Sequence, residues 1–354
     1  MIRVLVVDHS PSVRELLAQI LDADPRLQVV GRAPGGEQAL AMCARLRPHV
    51  VTIDLQMSGM DCLEAIRRIM REYPTPIVVL GGSDSPDEVD AGFRAIEAGA
   101  LVLVRRPPEP AHPDHATAAQ ALVRTVKSMA EVRVVRRWPA RRGAHGASRP
   151  ASPKPHRLVL LGASTGGPAV LRDILAELGQ DFALSVVIVQ HLPPGFSAGL
   201  AGWLAHASGF PVALAGHDQP LSPGCAWLAP DGYQLGVSRT LCAELSLAPP
   251  EHGMRPAVAH LFRSVPPELR EQTVAALLTG MGKDGAQELK QLRDDGAITI
   301  VQDRASAAVY GMPGEAVRLD AARLVLEPTQ IGRVLRAIAN HPGGDLSLLG
   351  PREE

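Results

Sequence analysis

The sequence predicts an α/β protein of two doubly wound parallel-sheet domains, and three observations carry that prediction. Short apolar runs alternate with helix-like periodic segments over residues 1–132, and the same alternation resumes at residue 157. Between these stretches, residues 133–156 are rich in Arg, Pro, Ala and Ser and lose all apolar periodicity, as a linker does. Hydrophobic residues make up 46% and charged residues 21% of the 354 positions, which suits a folded chain long enough for two cores.

In the first domain the expected strands are Ile2–Val7, Gln28–Gly31, Val50–Leu55, Ile77–Leu80 and Leu101–Val104. Each is a short, nearly continuous apolar run, the pattern of a strand buried on both faces of a parallel sheet. The intervening helices are expected at Ser12–Ala23, Gly36–Leu46, Asp61–Arg71 and Asp87–Ala98, with a last one over Ala118–Val134. After the linker, Arg157–Leu161, Ala183–Val189, Val274–Leu278 and Ala297–Val301 read as buried strands. Pro168–Leu178, Gly199–Ala207, Pro256–Ser264 and Ala286–Asp294 read as helices, and Gly224–Leu247 as a β-hairpin or small antiparallel insertion. The second domain is expected over residues 157–345, followed by a tail over 346–354.

Bulk chemistry removes several function classes. A formal net charge of −1 gives no global attraction to nucleic acid or to an anionic membrane. The basic linker carries no aromatic besides Trp138, and it reads as a solvated connector. Aromatics are only 3% of the chain, so both cores are expected to be aliphatic. Cys43, Cys62, Cys225 and Cys242 form no CxxC pair, so neither a zinc site nor a disulfide framework is expected. The opening MIRVLVVDHS does not read as a signal peptide, and no apolar run reaches bilayer length. The expected location is the cytoplasm, with no membrane insertion.

Three segments of the second domain share one layout, an apolar strand followed by a loop that holds a reactive residue. They are LVLLGASTGGP with Ser164, VVIVQHLPPGF with His191, and AALLTGMGKDGA with Asp284. Loops at the carboxyl ends of neighbouring parallel strands converge on one crevice, so residues distant in sequence can meet there. Their types suit acyl transfer. Ser164 lies in a G-x-S-x-G turn, an imidazole such as that of His191 can activate it, and a carboxylate such as Asp284 can fix the ring's tautomer. Backbone N–H groups of the glycine-rich turns can receive the developing oxyanion.

Each residue also has a plain structural role: Ser164 as a helix cap, His191 as a turn residue before Pro193-Pro194, Asp284 as an N-cap. Two other functional readings stand beside the hydrolase. Gly280–Gly285 is a literal G-x-G-x-x-G after a strand, with Asp303 near the position that binds a ribose in dinucleotide sites. That reading puts Asp284 beside a pyrophosphate and leaves Ser164 and His191 idle. The other is a non-enzymatic regulator, suggested by the linker and by the state of the first domain.

At the quoted motifs, together with GMPGEA, the sequence closely resembles the chemotaxis-type protein-glutamate methylesterases of the CheB family, over nearly the whole chain. The resemblance implies Ser164 as nucleophile, His191 as base and Asp284 as orienting acid, with the backbone at Met281 and Thr165 at the oxyanion. It implies hydrolysis of glutamate methyl esters on chemoreceptor cytoplasmic domains, and deamidation of receptor glutamines, with no cofactor for catalysis.

The same resemblance makes the first domain a flavodoxin-type receiver, with a histidine kinase as phosphodonor and Asp54 as phosphoacceptor. Asp8 and Asp54 would then hold Mg2+, but the second acid of the family's pair is His9 here, and magnesium prefers hard oxygen ligands. The switch hydroxyl falls at Gly81, with Ser83 nearby, and the expected lysine is Arg106. Two expectations stand: Asp54 is phosphorylated and the change repacks the face covering the esterase cleft, or, as the chemistry favours, the receiver keeps its fold, has lost efficient phosphorylation and serves as a docking or constitutively inhibiting module.

Overall fold

The computed structural model describes residues 1–57, 59–82, 85–132 and 157–340, which fall into two compact units, one on each side of the gap at 133–156. The linker, Ser83, the tail from residue 346 and the end of the helix expected to reach Val134 lie outside the described residues.

The first unit alternates without exception: β1 (Ile2–Val7), α1 (Pro11–Asp22), β2 (Leu27–Ala33), α2 (Gly36–Leu46), β3 (Val50–Asp54), α3 (Cys62–Glu72), β4 (Ile77–Gly81), α4 (Pro86–Ala98), β5 (Val102–Arg105) and α5 (His115–Ala130). The strands form one parallel sheet in the order β2-β1-β3-β4-β5, the flavodoxin-like arrangement. β3 and β4 are buried at every residue, and IVVLG accordingly carries no polar side chain, VVTID only Thr52 and Asp54. The last helix starts at His115, ahead of the expected Ala118, and Asp114 stands at its N-cap. Burial pushes the thiol of Cys43 up to about 11 and that of Cys62 up to about 12, so both behave as core residues.

The second unit runs β6 (Leu158–Ala163), α6 (Gly167–Leu178), β7 (Ser185–Gln190), α7 (Ser197–Ser208), β8 (Val212–Leu214), β9 (Ala226–Leu228), β10 (Gln234–Val237) and β11 (Ala243–Ser246). It continues with α8 (Val258–Ser264), α9 (Pro267–Arg270), β12 (Thr273–Leu277), α10 (Ala286–Asp294), β13 (Ile298–Gln302), α11 (Gly311–Arg318), β14 (Leu324–Leu326) and α12 (Pro328–Asn340). Its main sheet is parallel throughout, in the order β14-β13-β12-β6-β7-β9-β8. The two-domain parallel α/β class read from the sequence is the class observed.

One expectation needs correction. Gly224–Leu247 is not a single antiparallel insertion: Ala226–Leu228 joins the main sheet between β7 and β8, and only β10 and β11 pair antiparallel. Ala226 and Leu228 are buried, and the sheet, rather than the local hairpin, covers them.

Chain order sets where each site lies. In the first unit the path leaves β1 for β2 and then crosses to β3 on the other side of β1. In the second it leaves β6 for β7 and later crosses to β12 on the other side of β6. Loops after such paired strands diverge and leave a crevice at the sheet's carboxyl edge. Asp8 and Asp54 stand at that edge of the first sheet, and Ser164 and Asp284 follow β6 and β12 at that edge of the second.

Candidate active site

Strand register fixes the first two groups. Ala163 of β6 pairs with Gln190 of β7, so Ser164 and His191 occupy matched positions one residue past the two strand ends. Their backbones are joined there: His191 N–H donates to the Ala163 carbonyl at 3.0 Å. On the other side of β6, Ser164 N–H donates to the Thr279 carbonyl at 2.9 Å, tying the serine to the segment after β12. Gly280 follows Thr279, and a side chain there would meet Ser164 Cβ at 2.6 Å. Only glycine lets that loop lie against the serine. Gly166, with φ 78°, turns the chain into α6 directly after Thr165.

Asp284 is gripped from several directions. Its Oδ2 stands 2.8 Å from His191 Nε2 and also accepts the Val258 N–H at 2.8 Å, while Oδ1 accepts the Ala259 N–H at 3.0 Å. Both side chains are almost fully buried, 5% exposed for His191 and 4% for Asp284. Burial opposes ionisation of Asp284, but the His191 hydrogen bond and charge and the two backbone donors outweigh it and hold the carboxyl below the usual range. A carboxylate ionised at neutral pH accepts a hydrogen bond from Nε2–H, which leaves Nδ1 as the nitrogen with the free lone pair. That Nδ1 is buried and has no hydrogen-bond partner.

The structure therefore brings imidazole and carboxylate together and puts the serine beside them without a hydrogen bond between Ser164 and the ring. Neighbouring strands are about 4.8 Å apart, which keeps the two turns adjacent, and bonds between nucleophile and base are often open in unliganded enzymes. Met281 follows Gly280, and Thr165 follows Ser164, so the two segments named for the oxyanion flank the serine from both sides.

The first unit holds a second polar cluster. Asp8 and Asp54 are buried, and His9 Nδ1 stands 3.2 Å from Asp54 Oδ2 and 3.8 Å from Asp8 Oδ1. Arg106 Nη1 lies 3.5 Å from Asp54 Oδ1 and 3.7 Å from Asp8 Oδ2. Burial and the neighbouring Asp8 charge push the Asp54 carboxyl up to about 6, against the lowering pull of Arg106 and His9. Gly81 closes β4 without a hydroxyl.

Comparison with known proteins settles the family. A family model described as CheB methylesterase matches residues 159–335, and one described as Response regulator receiver domain matches residues 4–112. A protein-glutamate methylesterase/protein-glutamine glutaminase of Geobacter metallireducens is 50% identical over 346 residues, spanning 96% of this chain and 99% of that relative. The chain belongs to the CheB methylesterase family. A relative of the same description from Syntrophus aciditrophicus is 46% identical, again over 96% of this chain. The crystal structure of the Thermotoga maritima CheB methylesterase catalytic domain matches with a TM-score of 0.50 and 31% identity, over 52% of this chain and 98% of that one.

Membership in the CheB family bears on the rival readings. In this CheB chain the Gly280–Gly285 loop is the one that delivers Asp284 to His191, and Asp303 takes up Ser306, accepting its N–H at 3.1 Å and its hydroxyl. Asp284 is thus committed to His191, and one oxygen of Asp303 to its own loop. Among the described residues, no helix is long and apolar enough to cross a membrane.

Three supports of the CheB site have no motif to announce them. The buried Gln190 amide donates to the Ser164 carbonyl at 2.8 Å and to the His191 carbonyl at 2.9 Å, clamping the two turns together. Thr279 Oγ1 donates to the Thr165 carbonyl at 2.9 Å and accepts the Val309 N–H at 2.9 Å. Gln302 Oε1 accepts the Thr279 N–H at 2.8 Å. A glutamine closing each of the apolar runs VVIVQ and ITIVQ is the signal that marks Gln190 and Gln302 as polar residues at buried strand ends.

The CheB receiver cluster fits magnesium poorly. Asp8 Oδ2 is buried with no hydrogen-bond donor, as an oxygen facing a cation would be, but the third ligand atom is the His9 nitrogen. Mg2+ takes oxygen ligands in a strict octahedron, and this set offers two carboxylates and an imidazole.

Proposed function

We propose that this chain hydrolyses glutamate methyl esters on chemoreceptor cytoplasmic domains, and deamidates glutamines there, through Ser164, His191 and Asp284. The observation that carries the reading is the buried His191–Asp284 pair beside Ser164, with Nδ1 left unpartnered. The relatives, named protein-glutamate methylesterase/protein-glutamine glutaminase, supply the two reactions, and the family resemblance supplies the chemoreceptor substrate.

In this mechanism His191 Nδ1 takes the Ser164 proton as Oγ attacks the ester carbonyl. Backbone N–H groups at Met281 and Thr165 receive the negative charge on the carbonyl oxygen. Collapse breaks the C–O bond, the imidazolium returns its proton to the leaving alkoxide, and methanol departs from an acyl-enzyme. Water, deprotonated by the same nitrogen, then frees the glutamate and restores Ser164. With a glutamine the leaving group is ammonia and the remaining steps are the same. Asp284 keeps the proton on Nε2 and stabilises the imidazolium, and no cofactor enters the sequence.

Ser164→Ala tests this directly. Methanol release from methylated receptor should fall by about 10³-fold or more with the fold intact. Near wild-type release by that variant overturns the assignment.

The receiver is read as the regulatory input, with Asp54 as phosphoacceptor and a histidine kinase as donor. His9, Gly81 and Arg106 each depart from what efficient transfer to Asp54 requires. The protein is accordingly a cytoplasmic hydrolase whose receiver is phosphorylated slowly.

A further inference from the structure

We infer that Asp8, His9 and Asp54 form a divalent-metal site of mixed nitrogen and oxygen donors that selects a first-row transition ion over Mg2+. One ligand atom from each residue lies within 4.8 Å of the others. Two ligands each about 2.1 Å from a shared ion stand about 3–3.5 Å apart, and His9 Nδ1 already stands 3.2 Å from Asp54 Oδ2.

A second observation points to a ligand independently of the clustering. Asp8 Oδ2 is buried and accepts no hydrogen bond, although Asp8 Oδ1 takes the Ser10 N–H at 2.8 Å. A carboxylate oxygen without a donor is costly to bury, and a metal ion satisfies it.

The present counter-charge is Arg106, whose guanidinium reaches both acids and is 29% exposed. It passes directly over Gly82, where a side chain would meet it at 2.5 Å. Its exposed end can therefore withdraw while an ion enters from the side where His9 is open to solvent, 43% exposed. Two carboxylates and a neutral imidazole balance a divalent ion. The imidazole shifts preference from the hard Mg2+ towards ions such as Ni2+, Co2+ or Mn2+.

Calorimetric titration of the full chain with Ni2+ and with Mg2+ tests the inference. Wild type should bind Ni2+ about 100-fold more tightly than Mg2+, and His9→Asp should narrow that ratio by about 10-fold or more, chiefly by tightening Mg2+. Pulsed electron paramagnetic resonance of the Mn2+ form should show nitrogen coupling in wild type and none in His9→Asp. His9 is at the surface, so this variant keeps the fold. Equal affinity for the two ions, an unchanged ratio in His9→Asp, or nitrogen coupling that survives the substitution would overturn the proposal. So would Ni2+ binding of wild-type strength in Asp8→Asn, because the ion would then sit elsewhere among the chain's twelve histidines.

Discussion

Asp284 meets His191 through the same carboxylate oxygen, Oδ2, that accepts the Val258 N–H, at 2.8 Å in both cases. The carboxylate cannot rotate to follow the ring without losing a backbone donor, so the tautomer and the aim of the imidazole are set before substrate arrives. The first prediction follows. Asp284→Asn keeps the shape but presents an amide where a charged acceptor stood, which favours the wrong tautomer. Methanol release should fall by about 10³–10⁴-fold in kcat with little change in KM. A loss confined to KM would mean that Asp284 binds substrate instead of orienting the base.

Gly280→Ala should disable the enzyme without touching a reacting group. The added methyl would stand 2.6 Å from Ser164 Cβ, closer than real side-chain carbons approach, so the loop carrying Met281 must back away from the serine. The expected outcome is a drop in stability of about 1–3 kcal/mol by thermal unfolding and a fall in kcat of at least about 10²-fold. Wild-type turnover would show that the loop can retreat without cost to catalysis.

Asp54→Asn should stabilise the first unit in chelator-containing buffer at pH 7–8. A folded-state carboxyl at about 6 lies above its unfolded value of about 4, so the folded state binds more protons between those values, loses stability as pH rises through that range, and carries the full loss at pH 7–8. Removing the charge recovers at most about 3 kcal/mol, less what Asp54 gains from His9 and Arg106. The difference in melting temperature between variant and wild type should shrink as pH falls below about 6. A variant less stable than wild type at every pH would show that the ion pairs outweigh the burial.

Labelling of Asp54 by acetyl phosphate with magnesium should be slow or absent in wild type. A chain carrying His9→Asp, Gly81→Thr and Arg106→Lys together should label at least about 10-fold faster, read by intact mass. Space exists for the hydroxyl: a Cβ at Gly81 meets no atom closer than 3.7 Å. Rapid stoichiometric labelling of wild type would show that the three departures matter little.

The residues that could be read in advance were those whose chemistry and position both leave a mark in sequence. Apolar runs such as VVIVQ end where buried strands end, and a glycine- or proline-rich loop with a reactive residue follows each one, so the loops of Ser164, His191 and Asp284 are legible in the sequence. The partners that hold Asp284 were not, because they are the backbone N–H groups of Val258 and Ala259, and any residue type has a backbone amide. The expected strand stops at Val189, one residue short of Gln190, whose side chain clamps both turns. Strands β8 and β14 have three residues each, too few for periodicity to register. Ala226–Leu228 was assigned to a local hairpin because its neighbours in sequence are turns, whereas its partners in space are β7 and β8.

Those same two short strands are the outermost members of the seven-stranded sheet. An exposed margin is where another polypeptide can dock by extending the hydrogen-bond ladder, and its appeal grows with the length of unpaired main chain on offer. At three residues apiece, β8 and β14 present a template too brief for a foreign strand to grip. The longer, largely apolar and fully buried β6, β7 and β12, which would invite aggregation at the rim, are shielded inside it.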